Sequence, residues 1–410
     1  MFGMIQTLDP ANGLTHGWLM RPPQGPDHPM WTMVVDIGGL AVRGLSIDDY
    51  PMHAVGACGV SRTDTITRAA GEAVERFALF PGDEAGPRAI TATAVELDSA
   101  GLDFAGSGLG DPHALDRPLR WYQGSRLDCQ QPVWVPSGLV DYPLADPWFD
   151  PTPSGAASGP DLRFAVRGAL LELIERDAVG VAWAAESPLQ EIDVEAEIAL
   201  ARSHPNWRDL ARLYRWAREQ DLRPTLVRVP VLPGLHCVLA AVIDGPDLAA
   251  VGAKAHEDLG RALLIALQEA VQVRDVLTAL RGQWGPTAAP DAVRDDVDRA
   301  RLWLTEAAVA ELERRLHDLP AASPGPPSSP PRTPAELVAA ILADGGRPAM
   351  VDLTTRLPET HRAMGWRAVK VVIPGYQPLR MDERHQFGWQ HERIEAARTK
   401  PTRPFPHPLI

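Results

Sequence analysis

Apolar residues recur at helical spacing in three long stretches of the chain. In the first stretch, Ile66, Ala73 and Phe77 share one helix face, and Asp64 is a suitable N-cap for it. The other two stretches are mostly apolar throughout. The sequence therefore predicts long helices over about 64–80, 161–184 and 259–281.

Short apolar runs between the helices are typical of strands. They lie at 31–41, 132–135, 225–231, 237–243, 349–353 and 367–373. A glycine turn, Gly56–Gly59, is predicted before the first long helix, and a loop of small residues over 153–159 before the second. Shorter helices are predicted over 206–220 and 335–343. Because helices and strands alternate without a regular βαβ repeat, the pattern predicts a mixed α+β fold rather than a doubly wound sheet.

A single domain is predicted over residues 1–400. A low-complexity insert of Pro, Ser and Gly interrupts it at about 320–334. This composition buries too little apolar area to offset the entropy of ordering, so we expect the insert to be mobile. Residues 401–410 form a Pro-rich C-terminal tail.

The composition narrows the class of protein. The 410 residues are 45% hydrophobic, enough for a substantial core, and the net charge of −13 argues against a primary role on nucleic acid or an anionic membrane. A local basic groove for an acidic peptide is left open.

No apolar run reaches the roughly 20 residues that span a bilayer, and no signal peptide is recognised. The three cysteines form no close pair, which argues against a disulfide framework and favours the cytoplasm.

Basic residues are chosen unevenly. Lys254, Lys370 and Lys400 are the only lysines among 40 basic residues. Together with 40 prolines and 34 glycines, this bias is typical of a GC-rich genome and by itself indicates no function.

Each long helix carries two polar side chains at positions i and i+3, followed by an arginine. The residues are Glu72, Glu75 and Arg76, then Glu172, Glu175 and Arg176, then Glu269, Gln272 and Arg274. Positions i and i+3 share a helix face. A solvated helix surface is the simplest interpretation of any one such pair. On the second and third helices, however, the same face continues as Ala, Gly, Val and Ile, which is not typical of a surface in water.

Carboxylates in apolar surroundings need compensation. Their removal from water is costly, and several together repel, so either some are protonated or cations lie between them. Carboxylates that bind Mg²⁺, which in turn binds phosphates, meet this requirement. The arginines could balance charge or contact phosphate. The usual phosphate-binding loops, G-x-x-x-x-G-K-[ST] and G-x-G-x-x-G after a strand, do not occur in the sequence.

Three blocks of the chain, in order, resemble the YcaO family. They are a glycine turn leading to E-x-x-E-R (56–76), a small-residue loop leading to E-x-x-E-R-D (154–177) and A-L-x-E-x-x-Q-x-R (266–274). The segments 351–354 and 371–375 are similar to later parts of the family. The resemblance covers most of residues 35–385 and implies a YcaO-type fold, with ATP held between sheets and glutamate-bearing helices.

The resemblance implies roles for the residues that match its motifs. It implies that Mg²⁺ is bound by Glu72, Glu75, Glu172 and Glu175, and that the nucleotide site includes Arg76, Arg176, Glu269, Gln272 and Arg274. Three positions depart from the family pattern. Cys58 stands where a lysine is frequent, Ser154 where asparagine is usual, and Pro160 where another asparagine is frequent. These departures remove nucleotide contacts that other members could make.

The C-terminal tail carries a P-x-P-x-P motif two residues from the end of the sequence. Alternating prolines favour an extended polyproline II segment, and a disordered terminus is the alternative. A tail of this kind resembles the azoline-forming YcaO proteins, in which it enters the active site. The resemblance therefore implies that Pro404, Pro406, Pro408 and Ile410 belong to the active site.

The implied activity is that of an ATP-dependent cyclodehydratase, which converts Cys, Ser or Thr of a precursor peptide into thiazoline or (methyl)oxazoline. The implied partners are the precursor, a separate E1-like or ThiF-like protein that binds its leader peptide, and a flavin-dependent azoline dehydrogenase. A homodimer stays open. The alternatives are a thioamide- or amidine-forming YcaO and a non-catalytic ATP-binding scaffold. No general base can be assigned; His407 and the carboxylate of Ile410 are candidates only if the tail is inserted.

Overall fold

The structure is a computed structural model that describes residues 2–25, 28–37, 54–81, 86–144, 146–200, 205–285, 288–323 and 329–410. The strands are β1 (Gly17–Arg21), β2 (Trp31–Asp36), β3 (Ala54–Gly59), β4 (Ala89–Ala92), β5 (Leu119–Arg126), β6 (Pro132–Pro136), β7 (Ala156–Gly159), β8 (Gln190–Glu191), β9 (Arg223–Val229), β10 (His236–Ile243), β11 (Ala249–His256), β12 (Ala349–Asp352) and β13 (Arg367–Val372). The helices are α1 (Phe2–Thr7), α2 (Arg62–Leu79), α3 (Ala94–Leu97), α4 (Leu162–Ala185), α5 (Val194–Leu200), α6 (Pro205–Glu219), α7 (Leu259–Trp284), α8 (Asp296–Leu302), α9 (Glu306–Leu316), α10 (Pro334–Ala343), α11 (Glu359–Ala363) and α12 (His391–Ala397). No helix within the described ranges is long and apolar enough to cross a membrane.

Strands β1, β2 and β3 form an antiparallel N-terminal sheet. The sequence predictions of a turn in β3 and of the N-cap of the following helix are both wrong. The segment Gly56–Gly59 is not a turn but the second half of β3, because its backbone pairs with β2 along its whole length. Glycine weakens a strand without preventing this pairing. Helix α2 begins after Ser61, whose side chain accepts a hydrogen bond from the backbone N–H of Asp64. Ser61 is therefore the N-cap, and Asp64 lies inside the first turn.

Two further antiparallel sheets complete the fold. The six-stranded sheet has the order β4-β5-β12-β13-β7, with β6 paired to β5, and the four-stranded sheet has the order β11-β10-β9-β8. Strand β10 is buried along its whole length, as a strand with helices and sheet neighbours around it should be. The mixed α+β prediction is confirmed. The strand predicted over 31–41 ends at Asp36, and residues 38–41 lie outside the described part of the chain.

The three long helices meet between these sheets. Helix α2 packs on β2 and β3 and also on β7 and β13; α4 packs on β7, β13 and β11; α7 lies along β10 and β11 and contacts β3. The predicted apolar face of α2, through Ile66, Ala73 and Phe77, is buried. Because each helix shares a neighbouring strand with another, their glutamate-bearing faces are brought to one region.

The described parts of the predicted insert are attached to the domain. Ala322 donates a backbone hydrogen bond to Glu191 at 2.7 Å. The backbone N–H of Arg332 donates to the buried carboxylate of Glu257 at 2.9 Å, and Arg167 pairs with the same carboxylate. Residues 324–328 lie outside the described part, and the mobility of the insert stays a prediction.

Candidate active site

On α2, Glu72, Glu75 and Arg76 lie side by side, because residues three and four apart are neighbours on a helix. Arg76 Nε lies 3.0 Å from Glu72 Oε1 and 4.0 Å from Glu75 Oε1. The Glu75 side chain is 19% exposed. This is a half-buried ion-pair cluster and not a solvated helix surface.

On α4, Glu175 is the most buried of the predicted metal-binding carboxylates. It is 2% exposed, accepts a hydrogen bond from Ala255 N at 2.7 Å, and lies 3.1 Å from Lys254 Nζ. Glu172 on the same face is more open, at 25% exposure. Arg176 lies beside both, with Nη1 3.3 Å from Glu175 and Nε 3.7 Å from Glu172.

Glu269 reaches the same cluster from α7. Its Oε2 accepts a hydrogen bond from Ala253 N at 3.0 Å, on the strand that also carries Lys254. Burial opposes the charge of Lys254, but Glu175 and Glu269 outweigh it and raise the pKa of this ammonium. One lysine of β11 thus joins the carboxylates of α4 and α7.

The carboxylates hold more negative charge than the nearby cations offset. Burial, together with the charges of Glu72 and Glu172, raises the pKa of Glu75 well above its usual range. Burial also raises the pKa of Glu172 and of Glu269, although the Arg176 guanidinium opposes the shift in both. The electrostatics of the site therefore favour an additional cation.

Lys370 on β13 is a second lysine of the site that sequence reasoning missed. It is 2% exposed, and its Nζ donates to the carbonyls of Thr152 and Ser154, in the loop before β7. Burial lowers the pKa of Lys370 to about 8, against the opposing charges of Glu172 and Glu75. Since Lys254 and Lys370 are two of only three lysines in the chain, their rarity was the available signal.

Gln272 links α7 to the N-terminal sheet. Its Nε2 donates to Gly56 O at 3.2 Å, and its Oε1 accepts from Cys58 N at 3.2 Å. The Cys58 thiol lies against Thr32, and burial raises its pKa to about 11, which keeps it protonated near neutral pH. Gln272 therefore positions the strand at the mouth of the site, and its contact with a nucleotide stays a prediction.

Arg274 points away from the glutamates of the three helices. Its guanidinium pairs with Asp244 at 2.6 Å and with Asp275 at 3.0 Å. Asp275 in turn lies 2.8 Å from His28 Nε2. The structure thus does not bring Arg274 to the other predicted nucleotide-site residues, and its role there stays a prediction.

The C-terminal tail packs along α4 and α8. Trp183 Nε1 donates to Phe405 O at 2.8 Å, and Arg299 Nη1 donates to His407 O at 2.9 Å. Pro408 and Leu409 are buried, whereas Ile410 is 38% exposed. The tail, including Pro404 and Pro406, forms one wall of a cavity of about 440 Å³. Arg176 lines the same cavity, so the tail and the glutamate cluster share a boundary.

These residues fit magnesium and a nucleoside triphosphate. Arg176 Nε and Nη1 are buried and have no hydrogen-bond partner in the described part of the chain. Guanidinium donors of this kind suit phosphate oxygens. No three His, Cys, Asp or Glu side chains within the described ranges already have the spacing of metal ligands; Arg76, Arg176 and Lys254 lie beside the carboxylates instead. The carboxylates would hold Mg²⁺ in addition to these cations.

Comparison with known proteins identifies the family. A model described as the ATP- and Mg²⁺-binding YcaO cyclodehydratase matches residues 56–377. The chain belongs to the YcaO family. ATP and Mg²⁺ are therefore its cofactors. The match ends before the tail, and the domain boundary at residue 400 stays a prediction.

Several known proteins are similar to this YcaO protein. A protein of uncharacterised function from Methanothermobacter thermautotrophicus is 27% identical over 340 residues, which is 79% of this chain and 82% of the relative. The structure of YcaO from Methanopyrus kandleri bound with AMPPCP and Mg²⁺ has a TM-score of 0.64 at 19% identity, over 99% of this chain and 94% of that one. A heterocyclase in complex with substrate and cofactor has a TM-score of 0.70 at 19% identity, over 92% of this chain and 52% of that one. The E. coli microcin synthetase McbBCD complex has a TM-score of 0.60 at 14% identity, over 88% of each chain. The likeness confirms the YcaO-type fold.

Stabilisation by Mg²⁺ and a non-hydrolysable ATP analogue is expected to increase with pH. A carboxyl whose folded pKa is raised binds a proton more strongly in the folded state, so the stability it contributes falls as pH rises through that pKa. Glu75, Glu172 and Glu269 all have raised pKa values. Mg²⁺ favours their ionised forms and offsets this loss. The shift in melting temperature on ligand addition, measured from about pH 5.5 to about pH 8, should therefore grow.

The analogue in excess EDTA serves as the control, at matched ionic strength. A ligand present at ~100 times its Kd adds about 2.7 kcal/mol to the free energy of unfolding, which is readily measured. An equal shift at every pH would contradict the coupling between metal binding and these carboxyls.

Proposed function

We propose that this YcaO protein closes thiazoline and (methyl)oxazoline rings in a precursor peptide by phosphorylating the backbone amide oxygen. The observation that carries the proposal is the convergence of carboxylates from α2, α4 and α7 around partly buried cations, beside a cavity that the C-terminal tail also lines. A site built from these groups can neutralise a triphosphate and place a peptide against it.

The chemistry needs ATP because loss of water from an amide is unfavourable in water. The side-chain thiol or hydroxyl loses its proton and attacks the preceding carbonyl carbon, and the amide oxygen then takes the γ-phosphoryl of ATP, which releases ADP. Phosphate leaves with that oxygen while the amide nitrogen loses its proton, so that a C=N bond forms and the five-membered azoline remains. In phosphoryl transfer, the protein mainly positions the groups and neutralises charge. The glutamate pairs, Arg76 and Arg176 suit this task without a covalent nucleophile.

Two observations favour ring closure over the other YcaO reactions. The P-x-P-x-P tail lies against the cavity that Arg176 lines, where a peptide could be in contact with both. The similar structures include a heterocyclase in complex with substrate and cofactor and a microcin synthetase complex. A separate E1-like or ThiF-like protein would present the precursor, and a flavin-dependent dehydrogenase would act on the azolines. A homodimer fits the proposal equally well.

The proposal is tested by incubating the protein with a Cys/Ser/Thr-containing precursor, ATP, Mg²⁺ and the leader-binding partner. We expect the peptide to lose the mass of one water for each ring, with one phosphate released per ring. Mass spectrometry of the peptide and a phosphate assay provide the two measurements. The Glu172→Gln variant, run in parallel, is the control for contaminating activity.

Other outcomes would point to the alternatives. Exchange of one oxygen for sulfur, in the presence of sulfide, would identify a thioamide-forming enzyme and overturn ring closure. Binding of Mg²⁺ and ATP without phosphate release in the complete system would identify a scaffold. The departures from the family pattern at Cys58, Ser154 and Pro160 are the reason to measure binding of Mg²⁺ and ATP separately from phosphate release.

A further inference from the structure

The cavity between α4 and the C-terminal tail is basic, although the chain as a whole is acidic. Its lining contains five arginines and one carboxylate, that of Glu383, in a protein with a net charge of −13. The arginines are Arg176, Arg315, Arg380, Arg398 and Arg403. At about 440 Å³ the cavity lies within the ~300–1,000 Å³ range of pockets that bind small ligands or a few residues.

Some of this positive charge is neutralised by carboxylates outside the lining. Arg315 pairs with Glu311 at 2.7 Å, and Arg398 pairs with Glu395 at 2.7 Å. Arg403 contacts the domain through its backbone, which donates to Glu186 and accepts from Arg315, while its side chain is exposed. Arg176 lies 3.3 Å from Glu175, and Arg380 lies 3.4 Å from Glu383. Among the lining arginines, Arg403 is therefore the one whose side chain forms no ion pair within the described residues.

Two arginines of the lining carry buried donors without a hydrogen-bond partner in the described part of the chain. Arg380 is 3% exposed and stacks on Trp389, and its Nε has no such partner. Arg176 Nε and Nη1 also make no hydrogen bond, although they lie 3.7 Å from Glu172 and 3.3 Å from Glu175. An unsatisfied buried donor costs about 1–3 kcal/mol, and more when it is charged. A ligand that supplies acceptor oxygens to these guanidinium groups would recover that energy, and a carboxylate does so with charge-assisted hydrogen bonds.

His407 lies in the wall of the cavity, close to several arginines. Its Nε2 donates to Arg380 O at 2.6 Å, while Nδ1 is buried without a partner in the described residues. Burial and the neighbouring charges of Arg299, Arg380 and Arg176 push the pKa of His407 well below its usual range. The imidazole is therefore neutral, and the surroundings disfavour a further cation.

We propose that this cavity binds an acidic residue of the substrate peptide close to the Cys, Ser or Thr that is cyclised, with Arg398 and Arg403 as specificity-determining residues. The inference rests on the proposed function for the identity of the peptide, but the binding itself requires no turnover. A glutamate in the peptide places its carboxylate among the arginines while its backbone follows the tail. A neutral glutamine at that position offers Arg398 and Arg403 no charge-assisted hydrogen bond.

The test measures the affinity of two fluorescein-labelled synthetic peptides, one with Glu beside a single Cys in a glycine background and one with Gln in its place. Anisotropy is recorded with the full-length protein, Mg²⁺ and a non-hydrolysable ATP analogue. We expect the Glu peptide to bind at least ~10-fold more tightly, a difference of about 1.4 kcal/mol. The double variant Arg398→Gln/Arg403→Gln should lose most of that preference while binding the Gln peptide as before.

A charge exchange makes the test specific. The Arg403→Glu variant should bind the Glu peptide more weakly and a Lys peptide more tightly than the unaltered protein does. The side chains of Arg398 and Arg403 are both exposed, so we expect the variants to keep the circular dichroism spectrum and melting temperature of the unaltered protein. Both quantities are measured as a check on folding.

Equal affinities for the Glu and Gln peptides would overturn the inference. The inference would also be overturned if the double variant lost as much affinity for the ATP analogue as for the Glu peptide, because the two arginines would then bind the nucleotide. Ring formation is not scored in this measurement. Failure to close rings would count against the proposed function alone, whereas a lost Glu preference would count against the acidic-peptide site alone.

Discussion

The Glu172→Gln variant is expected to release phosphate from ATP at least ~100-fold more slowly than the unaltered protein, the size of effect seen when a preorganised electrostatic group is removed. Glu172 is the partly open carboxylate of α4, and it lies in the field of Arg176, Glu175 and the two lysines of the site. A glutamine retains the volume but cannot supply a negative charge to Mg²⁺. Phosphate release at several Mg²⁺ concentrations should show a higher Mg²⁺ requirement as well as a lower maximum rate.

Two comparison variants separate this effect from loss of the fold. Glu359→Gln changes an exposed glutamate at the start of α11 and should leave phosphate release unchanged. Glu175→Gln removes the carboxylate that accepts from Ala255 and pairs with Lys254. Removing one partner of a buried ion pair costs roughly 3–5 kcal/mol. The Glu175 variant should therefore melt earlier, whereas the Glu172 variant should melt close to the unaltered protein. Normal phosphate release by Glu172→Gln would remove Glu172 from the metal site.

Helical periodicity was sufficient to predict that each glutamate pair shares one helix face, and the apolar neighbours on the second and third helices predicted that these faces are removed from water. That the three pairs meet in one region was implied by the resemblance to the YcaO family and not by periodicity. Arg76 and Arg176 follow their first glutamates by four residues and stay adjacent to them. Arg274 follows Glu269 by five, and at ~100° per residue the two side chains diverge by about 140°. This longer spacing therefore places Arg274 on another side of the helix, in a separate ion-pair group with Asp244 and Asp275.

The two lysines of the site could not be predicted from local pattern. Lys254 lies on β11, which the sequence analysis did not predict, and Lys370 lies on a predicted strand but was attributed to genome composition. Each meets the glutamates only through pairing between strands and helices that are distant in sequence. A single lysine on a strand leaves no periodic pattern in the sequence that would predict its role. What distinguishes these lysines is their position beside the glutamates, and that position depends on the tertiary fold.

The docking of the tail was also beyond the sequence. Its prolines predict an extended segment but not the surface it lies on. The groove is formed by α4, α8 and residues 380–383, and α8 was not predicted at all. Arg299 on α8 is fully buried and donates to the carbonyls of Arg380, Met381 and His407. A single arginine thus joins the tail to the segment behind it.

Truncation after Arg403 is expected to abolish ring closure, by ~100-fold or more, while retaining binding of Mg²⁺ and an ATP analogue. The truncation removes one wall of the cavity that Arg176 lines, so the substrate amide is no longer held against the phosphate, and misplacement of reacting groups of even ~1 Å costs about this much. It also removes Leu409 from the core and exposes Trp183 and Trp303. Burial of one such leucine contributes ~1.5–3 kcal/mol, so turnover must be measured well below the lowered melting temperature.

A full-length variant with Pro404→Ala, Pro406→Ala and Pro408→Ala is the matched control. It keeps the backbone contacts of Phe405 and His407 and the burial of Leu409, and it loses the stiffness of the polyproline segment together with the contacts of the three proline rings. We expect an intermediate rate, because the flexible tail must be ordered by the same contacts at a greater entropic cost. If the truncated protein closes rings at the rate of the full-length chain, the tail has no part in catalysis, and the main support for azoline formation over the other YcaO reactions is lost.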